Sequence, residues 1–260
     1  SHGSARFATA GEIRDLLGGP GLLIGRDPQG KGLLHYRGVA HLLTLAPTRS
    51  GKGTGAILPN LLTTRRSVIV VDPKGENARI AGGARSRLGR LLVLDPFALT
   101  GRPSAAYNPL ATLTPDSLDL AEDAATLADA LVLDPPAQVQ DAHWNEEAKA
   151  LLTGLILMVV CHEEPAQRHL GTLREQLTLP PDQFVELLAL MQRSPAAHGL
   201  IARAANRHLA KSEREAAGVL SSAQRHTHFL DSPRLRQVLV TTKQGYLLSP
   251  SVELIWAEAG

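Results

Sequence analysis

One cysteine, Cys161, stands among 260 residues. A lone thiol excludes a disulfide framework and any cysteine-rich zinc site, and it agrees with a reducing compartment. Aromatic side chains are scarce at 3%, which argues against a surface that grips single strands by stacking their bases. Long apolar runs are missing as well. The longest without a charge, residues 150–161, has 12 residues, whereas a helix needs about 20 to cross a bilayer. That run reads as the buried core of a helix. The chain starts at Ser1 rather than Met and shows no signal-peptide pattern, so it is expected to be a piece of something longer.

What is present is a globular composition, 43% hydrophobic and 20% charged, with 23 Gly and 17 Pro. These values exclude a disordered or low-complexity chain, and the length suits one large or two ordinary domains. The net charge of +2 conceals an asymmetry. Residues 1–115 carry 15 Lys and Arg against 6 Asp and Glu, and residues 116–260 carry 12 against 19. Two units with different surfaces are expected, the basic one suited to phosphate or nucleic acid.

The first half has α/β grammar. Residues 21–25 and 33–37 are short strand candidates around Asp27-Pro-Gln-Gly30, which is turn chemistry. Residues 41–45, 67–72 and 90–95 are continuous apolar runs that fit strands covered on both faces, as in a parallel sheet. Residues 53–64 and 76–88 have the length of crossover helices, and Gly89 sits where a C-terminal helix glycine belongs. From residue 117 to about 239 the strand signal fades. Residues 117–133, 143–162, 182–192 and 196–209 space their apolar residues as helices do. Ser212 with Glu215 reads as a capping box, and Ser232-Pro233 as a cap with a first-turn proline.

The motif with the most chemistry is Ala46-Pro-Thr-Arg-Ser-Gly-Lys-Gly-Thr54, between a strand candidate and a helix candidate. That is the context of a phosphate-binding P-loop. Amides from Thr48, Arg49, Ser50, Gly51, Lys52 and Gly53 curl around an anion, and the helix N-terminus adds its positive end. Lys52 would reach the β- and γ-phosphates, and the glycines at 51 and 53 allow close approach. Two departures from the general pattern stand out. Ala46 replaces the first glycine, and Gly53 replaces the hydroxyl that holds Mg²⁺, leaving Thr54 one position late. On grammar alone, a structural glycine-rich turn is the competing reading.

Residues 46–62, Ala-Pro-Thr-Arg-Ser-Gly-Lys-Gly-Thr-Gly-Ala-Ile-Leu-Pro-Asn-Leu-Leu, resemble the Walker A region of type IV secretion coupling proteins, the TraG/VirD group. That group also places a proline inside the following helix, where Pro59 stands. Further stretches carry the resemblance. They are residues 2–8, Val71-Asp-Pro-Lys-Gly-Glu-Asn77, Asp95-Pro-Phe97 with Tyr107-Asn-Pro-Leu110, and the helical stretch holding His143-Trp-Asn-Glu146. It covers roughly residues 2–239.

The resemblance implies a partial RecA-like P-loop NTPase sheet of α/β class, residues 1–113, with an inserted all-α domain over 114–235. It leaves 236–260 unassigned, since residues 240–250 do not resemble the group's continuation. It also implies ATP at residues 48–54, a hexamer, and relaxosome or effector proteins, DNA and secretion-channel proteins as partners. The expected location is the cytoplasmic face of the bacterial inner membrane, through an anchor ahead of Ser1, with the present stretch soluble.

Asp72 closes an apolar strand after the loop and so looks like a Walker B carboxylate that orients Mg²⁺. The group's Walker B, however, resembles a strand ending Asp-Glu far downstream, and no Asp-Glu pair follows Lys211. Asp72 is therefore also read as a subunit-interface or supporting residue, or as a turn and cap. For the same reason hydrolysis by this chain alone is not expected, and no catalytic residue is assigned.

The remaining candidates are weaker. Arg225-His-Thr-His228 lacks a carboxylate or cysteine to complete a metal set, so no metal site is expected. Trp144 reads as a packing residue, and Arg65-Arg66 with Arg85, Arg87 and Arg90 as a DNA path, a subunit interface or a solvated face. Two other functions compete: a non-hydrolysing interaction module with a vestigial loop, and an unrelated P-loop enzyme such as a small kinase.

Overall fold

A computed structural model describes residues 6–133 and 142–240, together with the backbone of residues 253–256. It falls into two compact units, Ser1–Pro103 with Ser249–Gly260, and Ser104–Leu248. Of the stretch matched at residues 2–8, residues 2–5 lie outside the described residues, as do residues 241–252.

The first unit begins with α1 (Ala10–Asp15), opened by Thr9 in a capping box with Glu12. Each of the two residues satisfies a backbone N–H of the other. Strands β1 (Leu22–Arg26) and β2 (Leu33–Tyr36) pair antiparallel. Between them Asp27 Oδ1 and Oδ2 accept from Gln29 N and Lys31 N, at 3.1 and 3.2 Å. Gly30 has φ 76° in this turn, so the expected turn is in place. A π-turn at Gly53–Ile57 runs into α2 (Leu58–Thr63). Then come β3 (Ile69–Val71), α3 (Glu76–Leu88), β4 (Leu91–Leu94) and β5 (Glu253–Trp256). The sheet order is β3-β5-β4, all parallel.

Three expectations are corrected here. Residues 41–45 form neither strand nor helix, and Leu43 and Leu45 are each 83% exposed. An apolar run becomes a strand only when a neighbour satisfies its backbone groups, and no described strand lies beside it. Among the described residues the parallel sheet therefore has three strands, without one from residues 41–45. Residues 253–256, in the segment without an assignment, supply its middle strand. Gly89 ends α3 by donating to Arg85 O, yet its φ of −179° is extended rather than left-handed, so any residue would serve there.

The second unit is all helical: α4 (Leu120–Leu131), α5 (Ala142–His162), α6 (Leu170–Leu177), α7 (Pro181–Gln192), α8 (Leu200–Leu209), α9 (Glu213–His226) and α10 (Pro233–Val238). The 12-residue apolar run lies in α5, with Leu152, Leu155, Ile156, Val159 and Val160 fully buried. Burial on every side of α5 makes it the central helix, packed by α4, α8 and α9. A Cβ on Gly154 would stand 2.3 Å from Ala204 Cβ, so glycine lets α5 and α8 cross closely. Ser212 Oγ accepts from Glu215 N at 3.3 Å, while Glu215 Oε1 faces His143 and Lys211 at 3.4 and 3.5 Å. Half of the expected capping box is thus formed. No described helix is long and apolar enough to cross a membrane.

Candidate functional site

The loop before α2 is shaped by two left-handed residues, Arg49 at φ 64° and Gly51 at φ 87°. Ser50 N donates to Pro47 O at 3.3 Å, and Gly55 N to Gly51 O at 2.7 Å. Lys52 already has helical dihedrals, so its side chain stands at the first turn. Its Nζ donates to Ala46 O, and to Pro47 O at 2.9 Å, folding over the loop's entry. Thr54 Oγ donates to Gly51 O at 3.2 Å. Thr48, Arg49, Ser50 and Gly51 are exposed, and a Cβ on Gly53 would meet nothing within 4 Å.

The helix behind the loop carries Pro59, which has no N–H to give to the carbonyl four residues back. The local answer is a π-turn in which Leu58 N reaches Gly53 O. Asn60 then bonds outward: Oδ1 accepts from Leu23 N, and Nδ2 donates to Leu23 O and Ala56 O, each at 2.8 Å. Its role was not visible in the sequence, although it stands inside the matched stretch. The residue directly after a helix proline was the available signal.

Asp72 and Asp95 end β3 and β4 with the same device. Each precedes a proline, and each carbonyl accepts from the amide three residues on, Gly75 N at 3.0 Å and Ala98 N at 3.3 Å. Gly75 and Ala98 both have positive φ, 65° and 57°. Asp72 Oδ2 accepts from Ala78 N at 2.9 Å in the first turn of α3. Asp95 accepts from Leu99 N at 3.0 Å and from Thr100 N and Oγ at 2.8 and 2.7 Å. Burial works to raise the Asp95 pKa, but these donors outweigh it and hold the carboxyl below its usual value. Val71 and Leu94 both pair with Trp256 in register. The two carboxylates therefore sit at one level of the sheet's carboxyl end, the edge where open α/β sheets bind ligands. Arg79 Nη1 joins the two turns through Lys74 O at 3.0 Å and Leu99 O at 2.7 Å.

The loop residues 48–54 are thus together, whereas no hydrogen bond or ion pair among the described residues joins Asp72 to them. Arg85 departs from its expected surface role. It is 1% exposed, and its guanidinium donates to Leu61 O, Thr64 O and Arg66 O around the end of α2. Burial lowers its pKa, and a group so enclosed does not line a DNA path. Arg65, Arg66, Arg87 and Arg90 are exposed.

In the helical unit, Trp144 lies on α9, its Cζ3 2.6 Å from where a Gly218 Cβ would be. His226 Nε2 is 3.0 Å from Asn145 Oδ1, and His228 Nε2 is 4.0 Å from Asp231. Among the described residues no three His, Cys, Asp or Glu side chains gather as a metal site.

Residues 17–243 match the family model described as "Type IV secretory system Conjugative DNA transfer". A conjugal transfer protein TraG of Escherichia coli is 28% identical over 259 residues, 89% of this chain and 41% of that protein. A second Escherichia coli TraG is 31% identical over 77% of this chain and 32% of its own length. VirD4 of Agrobacterium fabrum is 36% identical over 44% of this chain and 19% of its own. The chain spans less than half the length of these relatives.

Proposed function

This chain belongs to the type IV secretory system conjugative DNA transfer family, and from that premise we propose that residues 48–54 bind ATP. The observation that carries the reading is the donor set of the loop. It offers the Lys52 ammonium, the Arg49 guanidinium, the hydroxyls of Thr48, Ser50 and Thr54, and a helix N-terminus, with no carboxylate among residues 46–54. Such a set fits a polyphosphate. Lys52 now rests on two neutral carbonyls, weaker acceptors than a phosphate oxygen. Open space beside Gly53 leaves room for an anion to approach the backbone. When bound, ATP supplies a phosphoanhydride, and these side chains hold and neutralise it.

Magnesium fits less well. Thr54 Oγ is the hydroxyl nearest the required position, and it donates to Gly51 O. Asp72 Oδ2 accepts from Ala78 N. No step is derived through the metal.

The exposed leucines at 43 and 45, with Ile69 and Val71 75% and 67% exposed on the edge strand β3, support a wider RecA-like sheet in the whole protein. Its role, on this reading, is to link DNA–relaxase complexes or protein effectors to a secretion channel. It would do so as a self-associating assembly on the cytoplasmic face of the bacterial inner membrane.

A second reading is an interaction module in which the loop is vestigial. The extensive buried core around α5 supports it, since it gives the helical unit a hydrophobic core of its own. Titrating a fluorescent ATP analogue against the chain and Lys52→Ala separates the two. Saturable binding weakened at least tenfold by the substitution is expected. Indistinguishable curves would overturn the ATP reading.

A further inference from the structure

We propose that the cavity beside α1 binds a phosphoryl group joined to an apolar body. The cavity is about 450 Å³ and lies between the side of α1 and the β1–β2 turn, lined by Ile13, Arg14, Leu17, Asp27, Pro28 and Lys31. Its volume falls within the range of about 300–1,000 Å³ typical of small-molecule pockets.

The electrostatics select an anion. Ala10, Ile13 and Arg14 follow helical spacing and share one face of α1, from which the Asp15 position is turned away, and Leu17 follows just beyond the helix. Glu12, also off that face, is paired with Arg6 at 2.8 Å and accepts from Thr9 N at 2.6 Å. The one carboxylate in the lining, Asp27, is buried and receives the turn amides of Gln29 and Lys31. Arg14 gives its Nε to Ala10 O at 3.3 Å. Neither Arg14 nor Lys31 forms an ion pair with any described residue. Arg14 and Lys31 thus both line the cavity, and a bound anion would meet two cations there.

A phosphate suits the pair better than a carboxylate does. The guanidinium offers a planar fork and the ammonium a point charge, together matching several oxygens and more than one negative charge. The cavity is larger than a phosphate needs, and Ala10, Ile13, Leu17 and Pro28 give it apolar walls beside the polar Gln29. A phosphate ester meets both demands, whether its source is a lipid headgroup or a soluble compound. Phe7, 99% exposed and three residues ahead of α1, gives a lipid source an added apolar contact. This site is separate from the loop at residues 48–54.

The test uses the full chain. Amide spectra are recorded with inorganic phosphate and, separately, with short-chain phosphatidylglycerol, and sedimentation is measured with phosphatidylglycerol and phosphatidylcholine vesicles. Shifts at Arg14 and Lys31 are expected, and Arg14→Gln with Lys31→Gln should weaken binding at least fivefold. Arg65→Gln with Arg66→Gln, which removes the same charge elsewhere, should leave it unchanged. Binding to phosphate alone supports the site with a soluble source. Binding to the lipid and its vesicles supports it with a membrane source. Absence of shifts at residues 10–17 and 27–31 with both probes, or equal losses in the two double variants, overturns the proposal.

Discussion

The side chain of Asn60 pairs with both backbone groups of Leu23, N–H and C=O, each at 2.8 Å. A primary amide thus occupies the place of a neighbouring strand, since it offers the same donor and acceptor as a peptide unit. The contact ties α2 to β1 across 37 residues of sequence. It also steadies the helix that begins at the candidate loop.

Replacing Asn60 with Ala leaves the buried Leu23 without these partners. The expected loss is about 2 kcal/mol, the cost of a polar group deprived of its bond. Urea unfolding measures it, and hydrogen exchange at the Leu23 amide should accelerate in parallel. An unchanged midpoint would show that water replaces the tie without penalty.

The Asp95 carboxylate receives bonds within its turn from Leu99 N, Thr100 N and Thr100 Oγ, among others. Its folded pKa is depressed, so the stability it contributes is present above the unfolded pKa and lost as pH falls through the folded one. Asp95→Asn should therefore be less stable at neutral pH and show a flatter acid limb. Thr100→Val, which keeps the shape and removes both the donor to Asp95 and the acceptor for Arg102 N, should cost about 1–2 kcal/mol. Thermal melts from pH 7 to pH 3 test both.

Glu147 is held at about 2 first by its bonds to Arg207, against a smaller opposing effect of burial, and further by Lys211. Arg207 Nη2 lies at 2.6 Å and Lys211 Nζ at 2.7 Å. The sign follows as for Asp95: full stabilisation above the ordinary carboxylate value, declining as pH falls toward about 2. Glu147→Gln should remove that slope from the second unit. If wild type and variant lose stability in parallel below pH 4.5, the pair is not the cause.

Arg174 is 6% exposed and holds α6 to the end of α9. It bonds Asp231 with Nε and Nη2 at 2.8 and 2.7 Å, and reaches Gln224 O at 2.7 Å and Thr227 Oγ at 3.1 Å. Arg174→Ala should cost about 3 kcal/mol. Arg174→Lys should recover less than half of it, because an ammonium cannot make the planar fork. Recovery to the wild-type melting temperature would mean that charge alone suffices.

Legibility in the sequence followed the range of the interactions. The Asp27–Gly30 turn, the Ser212 cap and the buried run of α5 all depend on residues within a few positions, and each has its place in the structure. Helix α6 escaped notice because its buried face mixes Thr172, Arg174 and Gln176 with leucines, which erases the apolar period. The run at residues 41–45 misled in the opposite way, being apolar without a strand beside it. The loop at 48–54 was legible as a motif, and its left-handed residues now have dihedrals. Asn60, by contrast, was legible only as part of a match.

The sequence by itself determined the turns, the caps, the helical register of the second half and the order of groups in the loop. Those features are set by covalent geometry and near neighbours. Only the tertiary structure decided that residues 253–256 supply the middle strand, that Asp72 caps α3 and that Arg85 is buried against the end of α2. A strand needs a partner, and a charged group takes whichever donor or acceptor packing brings within 3 Å. Both are supplied by parts of the chain far away in sequence.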